Sequence, residues 1–319
     1  MNMISGVRDL TVRLLVLIVF CLIAQSAAAV DWDKVTGKDV VLFHPGQASW
    51  EWVLTQSKHS AAKKFRGGKN CADCHDGEQA DIGALIASGE KLEPAPVKGA
   101  DGSTSVNVKM ARDDANLYVR FEWKASTAPQ HPPMSKNHEL LVTMIIGDEN
   151  VKESVRAGCW GTCHSDLPNM DSDSGAEMTK YIGASRLKMT ASGGGTDIKP
   201  DADLKGLIAD GQFLEYWQAQ LNQGSPAKAV DGYILDDRHK NSSPLVTAEA
   251  DYKGGNWIVV LSRALTPGKD VHKDLVAGKT YPIGFAIHSG FTEGRFHHVS
   301  VEYSLSLDSG EAVFVAAKQ

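Results

Sequence analysis

Two short stretches concentrate the reactive side chains of this sequence. "GKNCADCHDGE" holds Cys71, Cys74 and His75, and "RAGCWGTCHSD" holds Cys159, Cys163 and His164. In each, a histidine follows the second cysteine directly. Sulfurs three or four positions apart project from one side of a helical turn, so each pair can engage a single partner. Three partners suit paired thiols. Four thiolates bind zinc, two thiols close a disulfide, or two thiols bond the vinyl groups of a haem whose iron takes the next histidine. Zinc and disulfides need no histidine after either pair, whereas covalent haem attachment does. The pattern therefore points to two covalently bound haem c groups. One is anchored at Cys71 and Cys74 with His75 on the iron, the other at Cys159 and Cys163 with His164. The second motif carries one extra residue between its cysteines, a spacing that still keeps both sulfurs on one helical face.

An iron held by one histidine needs a second protein ligand, or it keeps an open site. His59 is the first candidate for the first haem, because "SKHSAAKKFRGGKNCADCH" is short enough to fold back on itself and is flanked by "SWEW" and Phe65. His44 is a weaker candidate for the same position. His297 and His298 are among the remaining histidines that could ligate. Alternation along a strand sends these neighbours to opposite faces, so only one can face a given haem. Met144, like Met110 and Met134, could ligate instead, although a methionine more often packs a core.

The elements that must carry these motifs read as follows. Residues 1–29 have a basic start (Arg8, Arg13), the apolar run "LLVLIVFCLIA" and a small-residue exit, the parts of a signal peptide. Cys21 belongs to that run and follows Phe20, a poor context for lipidation. Residues 30–95 form a small, mostly irregular and helical segment with the first motif, and residues 96–319 a β domain with the second. "STSVNVKMA" and "ANLYVRFEWK" alternate apolar and polar residues around the turn "RDDA", as a half-buried hairpin does. "LLVTMIIG" is apolar throughout and suits a strand covered on both faces. "PLVTAEADY" and "NWIVVLSRAL" join through "KGGN", a hairpin turn, and "YPIGFAIHS", "FHHVSVEYSLSL" and "AVFVAAK" add further strands. "TASGGGTDIKPDAD" reads as a loop, and "LIADGQFLEYWQAQL" has helical spacing. Many short strands and few long helices predict a mainly β fold, an antiparallel sandwich of the immunoglobulin-like or Greek-key kind.

The formal charge is −6. Losing residues 1–29 would move it to −7. With no basic stripe, nucleic-acid binding is excluded as a working idea. An acidic surface could meet a basic redox partner, since complementary charge sets encounter rates, although from charge alone plain solubility is the better account.

From about residue 96 onward the chain resembles the haem-binding domain of the ethylbenzene dehydrogenase family. The likeness rests on "NVKMARDDANLYVRFEW", on "AGCWGTCH" after "LLVTMIIGDE", and on "IGFAIHSG…RFHHVSVEYSLSLD". It implies a β-sandwich that holds haem and serves electron transfer beside a molybdenum enzyme. The family's haem is a non-covalent b-type group with methionine and lysine ligands. Here cysteine anchors are present and His297 and His298 stand where the lysine is expected, which implies a c-type relative in which His298, or less favoured His297, is the second ligand of the haem at Cys159 and Cys163. The N-terminal part resembles a cytochrome c segment found in some relatives.

The function expected is a periplasmic dihaem cytochrome carrying electrons in respiration. Its partners would be other cytochromes or a molybdenum oxidoreductase, with no span of the membrane once the signal is cleaved. Two other classes remain open. One is a haem enzyme with an open iron site reducing a small oxyanion or peroxide, although "DDRH" and "HSD" form no catalytic constellation. The other is a ligand-binding or sensor sandwich with Tyr216, Trp217 and Trp257 as an aromatic platform.

Overall fold

The computed structural model describes residues 30–319 apart from 47, 49, 94, 95, 97, 127–135, 163–181, 189–196, 291–296 and 309. Cys163 and His164 of the second motif lie outside the described residues, as do the signal segment, His131 and Met134. Among the described residues no helix is long and apolar enough to cross a membrane.

One sheet organises the molecule. Its strands are β1 (Lys38–Phe43), β2 (Ser103–Arg112), β3 (Asn116–Lys124), β4 (Leu140–Ile146), β5 (Leu214–Leu221), β6 (Lys228–Ile234), β7 (Arg238–Lys240), β8 (Thr247–Lys253), β9 (Asn256–Ala264), β10 (Thr280–Ser289), β11 (His297–Val299), β12 (Tyr303–Ser306), β13 (Phe314–Val315) and β14 (Ala317–Lys318). The order across the sheet is β7-β6-β5-β4-β10-β11-β1-β2-β3-β9-β8, antiparallel along this path. Beside it, β12 pairs with β10 and β13, and β14 pairs with β2. The sheet folds over, so β5 and β6 from one half meet β8 and β9 from the other. Phe121 of β3 and Phe285 of β10 meet edge to face, ring centres 5.6 Å apart. Between the halves lies the main core, including Val119, Phe121, Met144, Trp217, Leu261 and Phe285. Each large apolar side chain buried there contributes roughly 1.5–3 kcal/mol by leaving water. The fold is mainly β, as the sequence predicts.

The hairpin expected at 103–124 is β2–β3, with Val106 opposite Trp123 and burial alternating along β3. β4 is buried at every position because β5 and β10 flank it and both its faces are covered. β8 and β9 join through Gly254 and Gly255, at φ 61° and 84°, the paired positive φ that a type I′ turn demands. Two expectations need correction. Residues 207–221 are not one helix: α6 (Asp201–Ala209) ends and β5 begins at Leu214. β5 is buried on both faces between β4 and β6, so it shows no two-residue alternation that would betray a strand. "FHHVSVEYSLSL" is not one strand but β11 and β12, broken at Ser300–Glu302.

The outer face of the β4–β10–β11 region carries a second apolar cluster. Ile145, Tyr216, Ala286 and Val299 from the sheet pack with Trp50, Phe65, Cys71, Cys159 and Trp160. Helices α1 (Trp50–Leu54), α2 (Ala62–Arg66), α3 (Ala72–His75), α4 (Gln79–Ala87) and α5 (Lys152–Ala157) supply the covering chain. Residues 30–95 thus give the sheet one strand, β1, which pairs with β2 and β11, and give this face its helices.

Candidate functional site

Cys71 stands at the head of α3 with helical φ and ψ, and Cys74 and His75 follow within that single turn. The turn is short, and its anchors are tertiary. The Cys71 amide donates to the Arg156 carbonyl (2.9 Å). The Ala72 amide donates to Glu302 Oε1 (3.0 Å). Arg156 reaches the carbonyls of Phe65 and Lys69, its guanidinium 4.2 Å from the centre of the Phe65 ring.

His59 faces His75 across this turn, ring centres 6.4 Å apart. An imidazole nitrogen lies about 2 Å from a first-row metal and about 1 Å from its own ring centre. Two histidines on opposite sides of one metal therefore place their ring centres roughly 6 Å apart. Each ring has its Nδ1 tied. His59 Nδ1 donates to the Val53 carbonyl (3.0 Å), and His75 Nδ1 lies 3.0 Å from Glu78 Oε2. A carbonyl only accepts, so His59 carries its proton on Nδ1 and leaves Nε2 as the basic nitrogen. Burial pushes the His59 imidazole below its usual value, with the Val53 bond opposing and His75 reinforcing the shift. The ring is held in the neutral form that a metal needs.

Around the two rings opens a cavity of about 330 Å³. Trp52, Phe65, Ile82, Leu85, Leu92 and Trp160 give it an apolar wall, and Cys71 and Cys74 stand on the same wall as His75. Trp52 lies 5.7 Å from His59 and Trp160 lies 6.3 Å from His75, ring centre to ring centre. Paired thiols beside one imidazole, an opposing imidazole and an apolar slot fit a haem. They do not fit the zinc reading, because Cys71, Cys74 and Cys159 form no cluster among the described residues. Burial also pushes the Cys71 thiol up. Cys71 and Cys74 form no disulfide.

Cys159 follows α5, and two glycines let its segment press onto the sheet. Gly158 has φ 55° and ψ −139°, and a Cβ there would lie 2.4 Å from the Val301 carbonyl group. A Cβ at Gly284 would lie 2.6 Å from the Cys159 amide nitrogen. Trp160 donates from its backbone to Ser300 (3.1 Å) and packs on Phe43. The two motifs, far apart in sequence, thus meet through Arg156 and Trp160.

The remaining candidates divide by face. Ala286 pairs with Val299 and His288 with His297, so His297 shares the outer face on which Cys159 packs against Ala286 and Val299. His288 and His297 stack there, ring centres 4.4 Å apart. His298 pairs with Ile287 of the main core, points the other way, and donates from Nε2 to the Asp101 carbonyl (2.9 Å). His44 is buried against Glu93 (3.1 Å) and 6.4 Å from the His298 ring. It does not line the His59–His75 cavity. Met144 is wholly buried in the main core. Trp217 and Trp257 belong to that core too, and Tyr216 is buried on the outer face, so the three form no open platform. His239, of "DDRH", pairs with Asp236 (2.9 Å) and stacks on Tyr233.

Sequence reasoning did not identify Glu302, Arg156 and Trp160 as parts of the site. All three lay inside stretches quoted for other reasons, but nothing local marks Arg156 or Glu302 as an anchor of the first motif.

Residues 232–300 match the ethylbenzene dehydrogenase family. Over 301 residues the chain is 35% identical to cytochrome c-552 of Stutzerimonas stutzeri, covering 93% of each protein. It is 25% identical to cytochrome c-551 of Rhodocyclus tenuis over 295 residues, 91% of this chain and the whole of that one. Among solved structures, a family 9 carbohydrate-binding module from Caldicellulosiruptor kristjanssonii in complex with cellotriose aligns with a TM-score of 0.28 and 10% identity. That alignment covers 62% of this chain and 65% of the module. Given the motifs, the 35% identity to cytochrome c-552 and the family match at residues 232–300, the chain belongs to a family of c-type cytochromes related to the ethylbenzene dehydrogenase domain.

Proposed function

We propose that this protein is a periplasmic dihaem cytochrome c that moves single electrons between redox partners in respiration. Residues 30–95 would carry the first haem and residues 96–319 the second. Bound haem c supplies a one-electron iron couple. The observation that carries this reading is the His59–His75 pair, set at the spacing of two axial ligands beside Cys71 and Cys74. His59 and His75 would together hold a haem iron there and leave it no open site for a substrate, which favours carriage over catalysis. Glu78 holds the His75 ring by Nδ1, and an anionic partner there makes the imidazole a stronger donor. That would lower the reduction potential of a haem held by His75.

For the second haem we assign Cys159, Cys163 and His164 as attachment and proximal ligand, with His297 as distal ligand in preference to His298. The reason is the face that Cys159 shares with His297. Export rests on the basic, apolar and small-residue succession of residues 1–29. Partners would be other cytochromes or a molybdenum oxidoreductase, the latter by analogy with the matched family.

A pyridine haemochrome assay with intact mass, on protein matured by a cytochrome c assembly system, tests the proposal. Two haems per chain and a low-spin spectrum are expected. His59→Ala should turn one haem high-spin, and His297→Ala the other, with His298→Ala leaving the spectrum unchanged. A single haem would defeat the second attachment site, and a low-spin His59→Ala protein would defeat the first ligand pair.

A further inference from the structure

The chain is acidic overall, yet its charge is not spread evenly. From Lys58 to Lys69 the sequence holds five cations, Lys58, Lys63, Lys64, Arg66 and Lys69, and no Asp or Glu. The remainder is therefore more acidic than the total of −6 suggests. The fold sets these cations around one opening. Lys58, Lys64, Lys69 and Lys91 line the His59–His75 cavity, and no carboxylate does so among the described residues. A shallow recess beside it shares Ser60, Ala61 and Lys64 with the cavity and adds Lys63 and Arg66. All six cations are exposed. Lys69 pairs with Asp73 at 3.6 Å, while Lys58, Lys63, Lys64 and Lys91 have no carboxylate partner among the described residues.

We propose that this basic rim is the docking surface for an acidic electron-transfer protein, which exchanges electrons through the edge of the first haem. The inference rests on the proposed haem at Cys71, Cys74, His59 and His75. Its physical basis is screening. At ordinary ionic strength fields decay over about 8–10 Å, so a partner at the rim feels the local cations and little of the distant acidic surface. Complementary charge of this kind raises encounter rates and fixes orientation. It also reverses the expectation from net charge, which called for a basic partner. A lysine-rich rim could equally adhere to an anionic lipid surface. The redox cavity at its centre favours a partner that receives or gives an electron.

Stopped-flow oxidation of the reduced, fully haem-loaded protein by hexacyanoferrate(III) tests this. One electron passes from protein to oxidant, giving hexacyanoferrate(II), and no bond is made or broken. The rate should fall as ionic strength rises from about 0.05 to 0.5 M, against the sign of the net charge. The triple variant Lys58→Glu, Lys63→Glu, Lys64→Glu should react roughly ten-fold more slowly at the low end. The variant Lys205→Glu, Lys240→Glu, Lys253→Glu makes the same charge change at exposed positions outside the rim, and should react at close to the parental rate. Equal slowing of both variants, or a parental rate that rises with salt, would overturn the proposal. So would co-sedimentation with phosphatidylglycerol vesicles that the rim variant abolishes, which would assign the rim to a membrane surface. Haem content is measured on each protein first. Loss of the first haem refutes the functional proposal, whereas full loading without charge dependence refutes only the docking surface.

Discussion

Glu302 ties the first cysteine motif to the far end of the chain, and its chemistry can be read in solution. Its Oε1 accepts from the Ala72 amide, while Oε2 is buried without a partner among the described residues. Burial above all pushes its carboxyl from 4.5 up to about 7. Asp73 adds to the shift, and backbone amides and Arg156 oppose it. The unfolded chain therefore releases this proton near pH 4.5 and the folded chain near 7. Between those values the unfolded state binds fewer protons, so stability falls as pH rises, by roughly 2–3 kcal/mol in all. Glu302→Gln keeps the acceptor for Ala72 and removes the charge. Urea unfolding should find it more stable than the parent at pH 8, by about 1–3 kcal/mol, and equal at pH 4. An unchanged pH slope would show that Glu302 does not titrate this way. No sequence signal marks this residue, since its partners lie 230 positions away. The cysteine motifs stand out for the opposite reason: the proposed covalent attachment would fix residue type, order and spacing within six residues. His59 stood out as a candidate because it lies close in sequence to the motif that it faces.

β2, β3 and β9 read well because one face is covered, and β4 because its run is apolar throughout. β2 and β3 alternate because the core lies on one side and solvent on the other. β5 misled because it is buried on both faces, and β1, β6 and β7 were missed as short or weakly alternating runs. The choice between His297 and His298 was legible only as far as their lying on opposite faces. Which face matters depends on where Cys159 packs, and that is set by the approach of α5 to β10. Gly158 makes this approach feasible, with backbone angles costly for any other residue and a neighbour at 2.4 Å from any Cβ. Gly158→Ala should cost roughly 3 kcal/mol or more in thermal or denaturant unfolding. Intact mass should also show chains lacking the haem at Cys159. A variant with parental stability would mean that the segment shifts without cost.

Across the whole sandwich, the two halves are braced by charge as well as by apolar packing. Glu215 on β5 and Arg263 on β9 are wholly buried and 3.3 Å apart. Glu215 also accepts from the Trp217 indole (2.6 Å) and the Lys273 amide (2.7 Å). Glu215→Ala would strand the arginine in the core and should destabilise by about 3–5 kcal/mol. Chemical denaturation measures this directly, and a loss under 1 kcal/mol would show that the brace is dispensable. The net charge of −6 gave no hint of the basic rim, because an average over the chain hides what folding gathers in one place. The bond from Ala72 to Glu302 bears on how the molecule comes into being. Synthesis runs from the N-terminus, yet the first site lacks this anchor until almost the last residues have been added. A fragment ending near residue 95 would carry both cysteines and both histidines, but without Arg156, Trp160 and Glu302 to hold them. The N-terminal site is thus no module to be cut out and moved: it is made first, yet one of its anchors arrives almost last.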